Sequence, residues 1–319
     1  MIIQKSINLV FGANGQDGFL MAKYLLLKKQ PVIAVVRNNC KFLPLLKNFE
    51  KLHKNFLIEE LSEYSINNYD KIFSKHNVSK IFFFAGYSKI PKNDLENKIC
   101  YNSNFLIFEN LLKSIVNNKI NPKIIYLSSG EIYGQKHKFA KNENSPIVED
   151  NYYSQIKVKT LNLINFFKKK ESLFIANAIC FNHDSYFTPK DHIIRIVINK
   201  FKNQKKLKFF NVENYRNFSH TYDFIPIFYK ILDLKEPEDF ILANNTNHKI
   251  IDLINLVKSK FNFSSDSEIQ FDNSSSEYQI SRLADNTKIR KFFNYKPIYT
   301  LEKLVTRMLS YEKRFFYLD

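Results

Sequence analysis

Tyr153 and Lys157 stand four positions apart in Tyr153-Ser154-Gln155-Ile156-Lys157, a spacing that can make a proton-transferring base. Residues i and i+4 share one face of a helix. An ammonium beside a phenol favours the phenolate, so the pair predicts a lowered Tyr153 pKa and a usable base near neutral pH. Ser129 can donate a hydrogen bond to a substrate oxygen, and Asn104 can order a proton-relay water. An isolated Tyr-x-x-x-Lys more often means a core tyrosine with a solvated lysine. Here its neighbours favour chemistry: Ser128, Ser129 and Glu131 close one apolar run, and a glycine triplet closes another.

That triplet is Gly12, Gly15 and Gly18, within Phe11-Gly12-Ala13-Asn14-Gly15-Gln16-Asp17-Gly18-Phe19-Leu20. The chain has only six glycines, the others being Gly86, Gly130 and Gly134. Glycine this scarce marks places where backbone must approach something closely or take positive φ. Apolar Ile7 to Phe11 precedes the triplet and a helical stretch, Phe19 to Lys28, follows it. Strand, tight turn and helix can aim backbone N–H groups at a pyrophosphate. The alternative is a tight turn serving helix–strand packing alone.

The elements that must hold these groups alternate. Pro31 to Val36 reads as a second strand ending at Arg37, and Phe56 to Ile58 as a third that exits through Glu59-Glu60-Leu61. A helix through Tyr69–His76 leads to the apolar run Lys80 to Gly86, a strand buried on both faces. A helix from Asn104 to Val116, a strand Lys123 to Leu127, a helix from Tyr153 to about Lys169 and a strand Leu173 to Cys180 follow. The pattern predicts an α/β fold with a doubly wound parallel sheet, a Rossmann architecture. Residues 1–180 would form the nucleotide-binding domain. Residues 181–319 would form a smaller mixed substrate lobe, with some segments able to return to the sheet. Active sites of such folds lie at the carboxyl ends of the strands, where these polar groups collect. An Arg at the end of the second strand suits a 2′-phosphate, so Arg37 favours NADP over NAD; a solvated loop arginine is the alternative.

Composition narrows the function classes. The 319 residues include 31 Phe and 18 Tyr, enough for a large core. No apolar run reaches the length of a membrane span. The opening residues run straight into the first strand, and the three cysteines, Cys40, Cys100 and Cys180, give neither a disulfide framework nor a metal pattern. A cytoplasmic protein without a metal is expected. The formal charge of +17 admits a polyanion partner. Yet basic clusters such as Lys168-Lys169-Lys170 and Lys205-Lys206 are short, so nucleic-acid binding is not expected as the main function.

Taken together, the motifs resemble the extended short-chain dehydrogenase/reductase family over nearly the whole chain, and the GDP-mannose 4,6-dehydratases in particular. The turn Gly15-Gln16-Asp17-Gly18 and the string Leu127-Ser128-Ser129-Gly130-Glu131-Ile132-Tyr133-Gly134 are similar to theirs. So are Asn177-Ala178-Ile179-Cys180-Phe181-Asn182-His183-Asp184-Ser185 and Arg216-Asn217-Phe218-Ser219-His220-Thr221-Tyr222-Asp223-Phe224. Near the end, Asp285-Asn286-Thr287-Lys288 and Asn294-Tyr295-Lys296-Pro297 continue the likeness.

The resemblance implies roles at these positions. Gly12, Asn14, Gly15, Gln16, Asp17 and Gly18 would hold the cofactor pyrophosphate and Arg37 its 2′-phosphate, with Glu60 and Leu61 beside the adenine. Phe84, Ala85, Gly86 and Ser88 would line its path, and Tyr153, Lys157 and His183 would meet the nicotinamide end. Ser88, Ser129, Glu131, Asn177, Asp184, Arg195 and Arg216 would contact the nucleotide sugar, while His220 and Asp223 would hold the loop beneath Arg216. Ser129, Glu131, Tyr153 and Lys157 would be catalytic, with Glu131 removing the proton at C5 of a 4-keto sugar. A homodimer or homotetramer would form through helices around 104–116 and 153–169.

Four departures remove basic groups near the implied nucleotide site: Asn38 beside Arg37, Thr188, Ile196 after Arg195, and Ser275-Ser276. They weaken the implication of GDP-mannose itself. A sibling chemistry on the same fold (C4 dehydrogenation, 4-epimerisation, 4-reduction or decarboxylation) and a non-catalytic NADP-binding protein are the alternatives.

Overall fold

A computed structural model describes residues 6–37, 43–134, 139–203, 206–261, 269–272 and 282–310. Asn38, Cys40, Lys205 and Ser275-Ser276 lie outside the described residues. By internal contacts the chain divides into two compact units. The first is Met1–Tyr133, Pro146–Ile179 and Phe224–Phe240; the second is Gly134–Ser145, Cys180–Asp223 and Ile241–Asp319.

In the first half of the chain the order is β1 (Ile7–Phe11), α1 (Gln16–Leu27), β2 (Val32–Arg37), α2 (Leu43–Leu52), β3 (Phe56–Leu61), α3 (Ile66–Lys75), β4 (Val78–Phe83) and α4 (Asp94–Tyr101). A π-helical turn, Asn102–Leu106, leads into α5 (Ile107–Asn117). Then come β5 (Lys123–Ser129), a 3-10 turn (Gly130–Ile132), α6 (Tyr152–Glu171) and β6 (Ile175–Cys180). The later elements are β7 (His183–Asp184), α7 (Ile193–Asn203), β8 (Leu207–Phe210), β9 (Tyr215–Asn217), β10 (Ser219–His220), α8 (Thr221–Ile231) and β11 (Phe240–Leu242). They end with β12 (Asn247–Lys249), α9 (Ile250–Lys260), β13 (Ile269–Asp272), α10 (Thr287–Phe293) and α11 (Leu301–Ser310).

The main sheet has seven strands in the order β11-β6-β5-β4-β1-β2-β3, and β1 pairs in parallel with both β2 and β4. Strand order therefore reverses between β1 and β4. Such a switch point leaves a crevice at the strands' carboxyl ends, because the flanking crossovers leave it on opposite faces. Strands buried on both faces need continuous apolar runs, and β1 and β6 are buried at every position. One face carries Leu9, Phe11, Ile33, Ile81, Phe83, Ile124 and Tyr126 in a single core with Tyr69, Phe108 and Leu111 from the helices. The aromatic rings within it touch in series. Phe11 lies 5.3 Å from Phe83, and Phe83 lies 4.6 Å from Phe108.

The second unit has its own core, built from Ile194, Val197 and Phe201 of α7, Leu253, Ile254 and Val257 of α9, and Leu304, Val305 and Met308 of α11. Its strands form two-stranded pairs, β10 with β7, β12 with β9 and β13 with β8. No described helix is long and apolar enough to cross a membrane.

Candidate active site

The glycine turn is dictated by space. Gly12 has φ +76°, and a Cβ on it would lie 2.6 Å from the Ala85 nitrogen and 2.7 Å from the Phe84 carbonyl carbon. A Cβ on Gly18 would run into the Gly12 carbonyl. These two glycines let the turn, the end of β4 and the start of α1 pack backbone to backbone. Gly15 differs: it is exposed, and its nearest neighbour to such a Cβ is the Gly12 oxygen at 3.4 Å. It also caps α1 without offering a side-chain acceptor to the first turn. Where the turn opens outward, a helix N-terminus faces the crevice, an arrangement that favours an anion. Asn14, Gln16 and Asp17 stand half-buried around that opening.

At the neighbouring corner of the sheet, exposed Arg37 is in register with Leu61, and Val36 with Glu60. The Glu60 carboxylate pairs with Lys47 at 3.5 Å. β4 ends at Phe83, and the Phe84 N–H continues the ladder to the Phe11 carbonyl at 3.1 Å. Half-buried Phe84 and Ala85 and exposed Gly86 and Ser88 then follow. The segment is anchored through Glu96 of α4, which accepts the Tyr87 hydroxyl and the Lys92 N–H, both at 2.9 Å. These hydrogen bonds hold the Glu96 carboxyl below the usual carboxylate range.

The catalytic candidates meet at the carboxyl end of β5. Ser129 caps the 3-10 turn by accepting the Glu131 N–H at 3.2 Å, which holds Glu131 half-buried at the strand's end. Helix α6 begins with a reciprocal cap, the Asn151 side chain accepting the Ser154 N–H at 2.9 Å while the Ser154 hydroxyl accepts the Asn151 N–H at 3.1 Å. The cap fixes where Tyr153 and Lys157 enter. Tyr153 hydrogen-bonds the Ser129 side chain and feels both the Lys157 ammonium and the Glu131 carboxylate. Its pKa is raised, not lowered. Burial is the largest cause and outweighs the downward pull of Lys157 and Ser129; the Tyr126 phenol and Glu131 push it further up. The sequence expectation counted the ammonium and omitted desolvation. A cationic nicotinamide ring beside Tyr153 would shift the balance back toward phenolate.

Lys157 is buried, and its Nζ donates to the Leu127 carbonyl at 3.0 Å and the Tyr126 hydroxyl at 3.1 Å. Asn104 is completely buried in the π-helical turn. Its amide nitrogen donates to the Tyr87 carbonyl at 3.0 Å, and its Oδ1 has no hydrogen-bond partner. That oxygen lies 2.6 Å from where a Gly86 Cβ would be, so the absence of a side chain at Gly86 lets this segment approach the Asn104 amide closely. Asn177 on β6 is 1% exposed, and neither atom of its amide has a partner. Buried amides left unsatisfied are costly and point to a missing polar ligand or water. The crevice therefore fits a dinucleotide, with an anion-accepting turn and the unpartnered Asn104 amide oxygen beside Gly86.

Other site candidates fall in the second unit. His183 Nδ1 lies 2.8 Å from the Phe181 carbonyl, and buried Asp184 lies 3.4 Å from His192 Nδ1. Arg195 donates to the Tyr186 carbonyl and its guanidinium lies 5.2 Å from the Tyr186 ring centroid. Arg216, on β9, donates to the Tyr215 carbonyl at 2.8 Å. Thr188 closes a turn, its hydroxyl accepting the Ser185 N–H at 2.8 Å. His220 stacks 4.0 Å from Tyr299, and Asp223 accepts the Ile298 and Tyr299 N–H groups at 2.9 and 3.2 Å. The loop these two residues hold is thus 298–299.

A family model described as GDP-mannose 4,6 dehydratase matches residues 9–308. The chain belongs to this family. The Homo sapiens GDP-mannose 4,6 dehydratase is 24% identical over 267 residues, 78% of this chain and 71% of that protein. The Dictyostelium discoideum enzyme is 21% identical over 273 residues, covering 79% and 74%. Among solved structures, UDP-glucose 4-epimerase from Thermotoga maritima superposes with a TM-score of 0.83 at 19% identity, covering 96% and 98% of the two chains. The dTDP-glucose 4,6-dehydratase from Bacillus anthracis gives 0.82 at 17% identity, covering 96% and 97%. The structural likenesses carry the extended short-chain dehydrogenase fold, and the family match places the chain among sugar-nucleotide-modifying enzymes.

Sequence reasoning missed Tyr126, Thr160 and Cys100, which surround Lys157 and Asn104. The one available signal was a hydroxyl-bearing ring in a strand whose neighbours Ile124 and Ile125 are aliphatic.

Proposed function

We propose that the protein is an NADP-dependent sugar-nucleotide 4,6-dehydratase acting on a GDP-linked sugar. The observation that carries this is Glu131, held half-buried within electrostatic reach of Tyr153 at the end of β5. A simple C4 reductase or epimerase needs no second base there; elimination does.

Tyr153 takes the proton of the sugar 4-hydroxyl while Ser129 donates a hydrogen bond to the same oxygen. The resulting 4-ketone acidifies C5–H. Glu131 removes the C5 proton and delivers it to the departing C6 hydroxyl, which leaves as water, and Tyr153 returns its proton to C5 as C6 is reduced, so both bases end as they began. Lys157 keeps positive charge beside the phenolate. When bound, NADP supplies the hydride acceptance and return that bracket these proton transfers. Gly12, Asn14, Gly15, Gln16, Asp17 and Gly18 would hold its pyrophosphate. Arg37 supports the 2′-phosphate, Glu60 and Leu61 the adenine side, and Phe84, Ala85, Gly86 and Ser88 the path toward Tyr153. His183, Asn177, Asp184, Arg195 and Arg216 are assigned to the nicotinamide and nucleotide-sugar ends.

The fold likeness to UDP-glucose 4-epimerase supports a second reading, 4-epimerisation on the same Tyr153 base. Glu131→Gln separates the two. Under the dehydratase reading this variant still forms bound reduced cofactor, seen by its absorbance, but yields no dehydrated product. Wild-type amounts of 4-keto-6-deoxy product from Glu131→Gln would refute the role.

A further inference from the structure

Lys157 does not stand alone in its burial. Its Nζ donates to the Tyr126 hydroxyl at 3.1 Å, and that hydroxyl donates to the Asn104 main-chain carbonyl at 3.1 Å. The same carbonyl accepts the Thr160 hydroxyl at 3.1 Å. Tyr126 is 1% exposed, while Asn104 and Thr160 are wholly buried. We infer that Tyr126 is the positioning residue for Lys157, a protein hydroxyl bridging the ammonium to the Asn104 carbonyl. This rests on the catalytic reading of Tyr153 and Lys157.

Three observations support the assignment. First, the ring cannot wander: Phe108 packs 4.7 Å and Phe83 5.9 Å from it, centroid to centroid. Second, the acceptor sits in a π-helical turn, where Ile107 N–H reaches back to the Asn102 carbonyl. Such turns displace the usual i−4 pattern and recur at functional sites. Third, burial holds the Tyr126 phenol protonated, with a pKa far above its ordinary value. It therefore accepts from Lys157 and must donate onward, so the direction of the chain is fixed.

The consequence is chemical. Two of the ammonium's three N–H bonds go to Leu127 and Tyr126, leaving one for the Tyr153 side. The titratable groups facing Lys157 are Tyr126 from β5, Tyr153 from its own helix and Cys100 from α4, with Glu131 acting on Tyr153. The Tyr126 hydroxyl donates to the Asn104 carbonyl, while the Thr160 hydroxyl, 3.1 Å from that carbonyl, also lies 2.9 Å from the Ile156 carbonyl. A dehydration with internal hydride return consumes and releases no net proton. The base can be recharged by the substrate, and a sealed lysine suits that cycle.

The test needs no nucleotide sugar, so its failure is distinguishable from failure of the dehydratase reading. Lysine ammonium groups exchange with water rapidly unless sheltered. With ¹⁵N-lysine labelling, and the signal assigned through Lys157→Met, the wild-type chain should show a protected Lys157 ammonium near neutral pH. Tyr126→Phe keeps the ring, and its folding is checked by circular dichroism. It should speed Lys157 exchange and weaken NADP binding by about tenfold or more each, as expected for one lost hydrogen bond to a charged group. Unchanged exchange in Tyr126→Phe overturns the proposal. So does water-like exchange of Lys157 in the wild type, which decides the matter even if the variant fails to fold.

Discussion

At Tyr153, two forces oppose each other and burial wins. The phenol of the unliganded chain is held above its ordinary pKa although an ammonium lies 5.7 Å from its ring centroid. C4 oxidation limited by this base should therefore accelerate as pH rises. Lys157→Met removes the one positive charge that pulls the value down, so the acidic limb of the rate profile should move to higher pH. An unmoved limb would show that the lysine does not tune the base. Tyr153→Phe should reduce turnover by about 10²–10⁴-fold, the usual contribution of a positioned general base, with secondary structure intact. The candidate residues of this proposed chemistry were legible as a group because Tyr-x-x-x-Lys and Ser-Ser-Gly-Glu are local strings. Tyr126 and Thr160 were not, since their value arises from a carbonyl distant in sequence.

At the level of elements, the turn between β1 and α1 and the start of α6 do the positioning. Gly18→Ala places a methyl against the Gly12 carbonyl, where backbone cannot yield cheaply. It should lower the melting temperature and abolish NADP binding measured by fluorescence titration. Full cofactor affinity would mean that the turn is not the pyrophosphate site. Asn151→Ala removes the cap of α6 and should cost about 1 kcal/mol, read in urea melts. The strands were legible because burial on both faces writes unbroken apolar runs. The exit Glu59-Glu60-Leu61 proved to be part of β3. Paired carboxylates read as the strand's exit, yet the Glu60 side chain is tied to Lys47. The helix expected from Asn104 begins instead as a π-helical turn, which sequence periodicity does not reveal because it displaces the register by a single residue. α2 and α4 were also missed, for their apolar faces are narrow: each buries one residue, Leu46 and Cys100.

Across the molecule, two cores with different legibility explain how much of the chain could be read. The sheet unit follows a repeating strand–helix grammar, whereas the second unit joins short strand pairs whose partners are far apart in sequence, such as β13 with β8. Acid sensitivity should arise in that unit. His220 is kept neutral by burial, then by Arg307 and His183, with a pKa lowered from 6.5 to about 3. The stability it contributes is complete above about pH 6.5 and is lost as pH falls toward 3, on the order of 3 kcal/mol by pH 4. Asp223, raised by burial despite its two backbone donors, works in the opposite direction. His220→Gln should therefore flatten the fall of unfolding free energy between pH 6.5 and 4. An equally steep fall in the variant would assign the sensitivity elsewhere.

The most direct test of the central claim is the mass of the product that the wild-type chain makes from GDP-mannose with catalytic NADP. Internal redox with elimination predicts a nucleotide sugar lighter by one water, formed without net cofactor reduction. A product of unchanged mass and altered C4 configuration, or stoichiometric reduced cofactor, would contradict it.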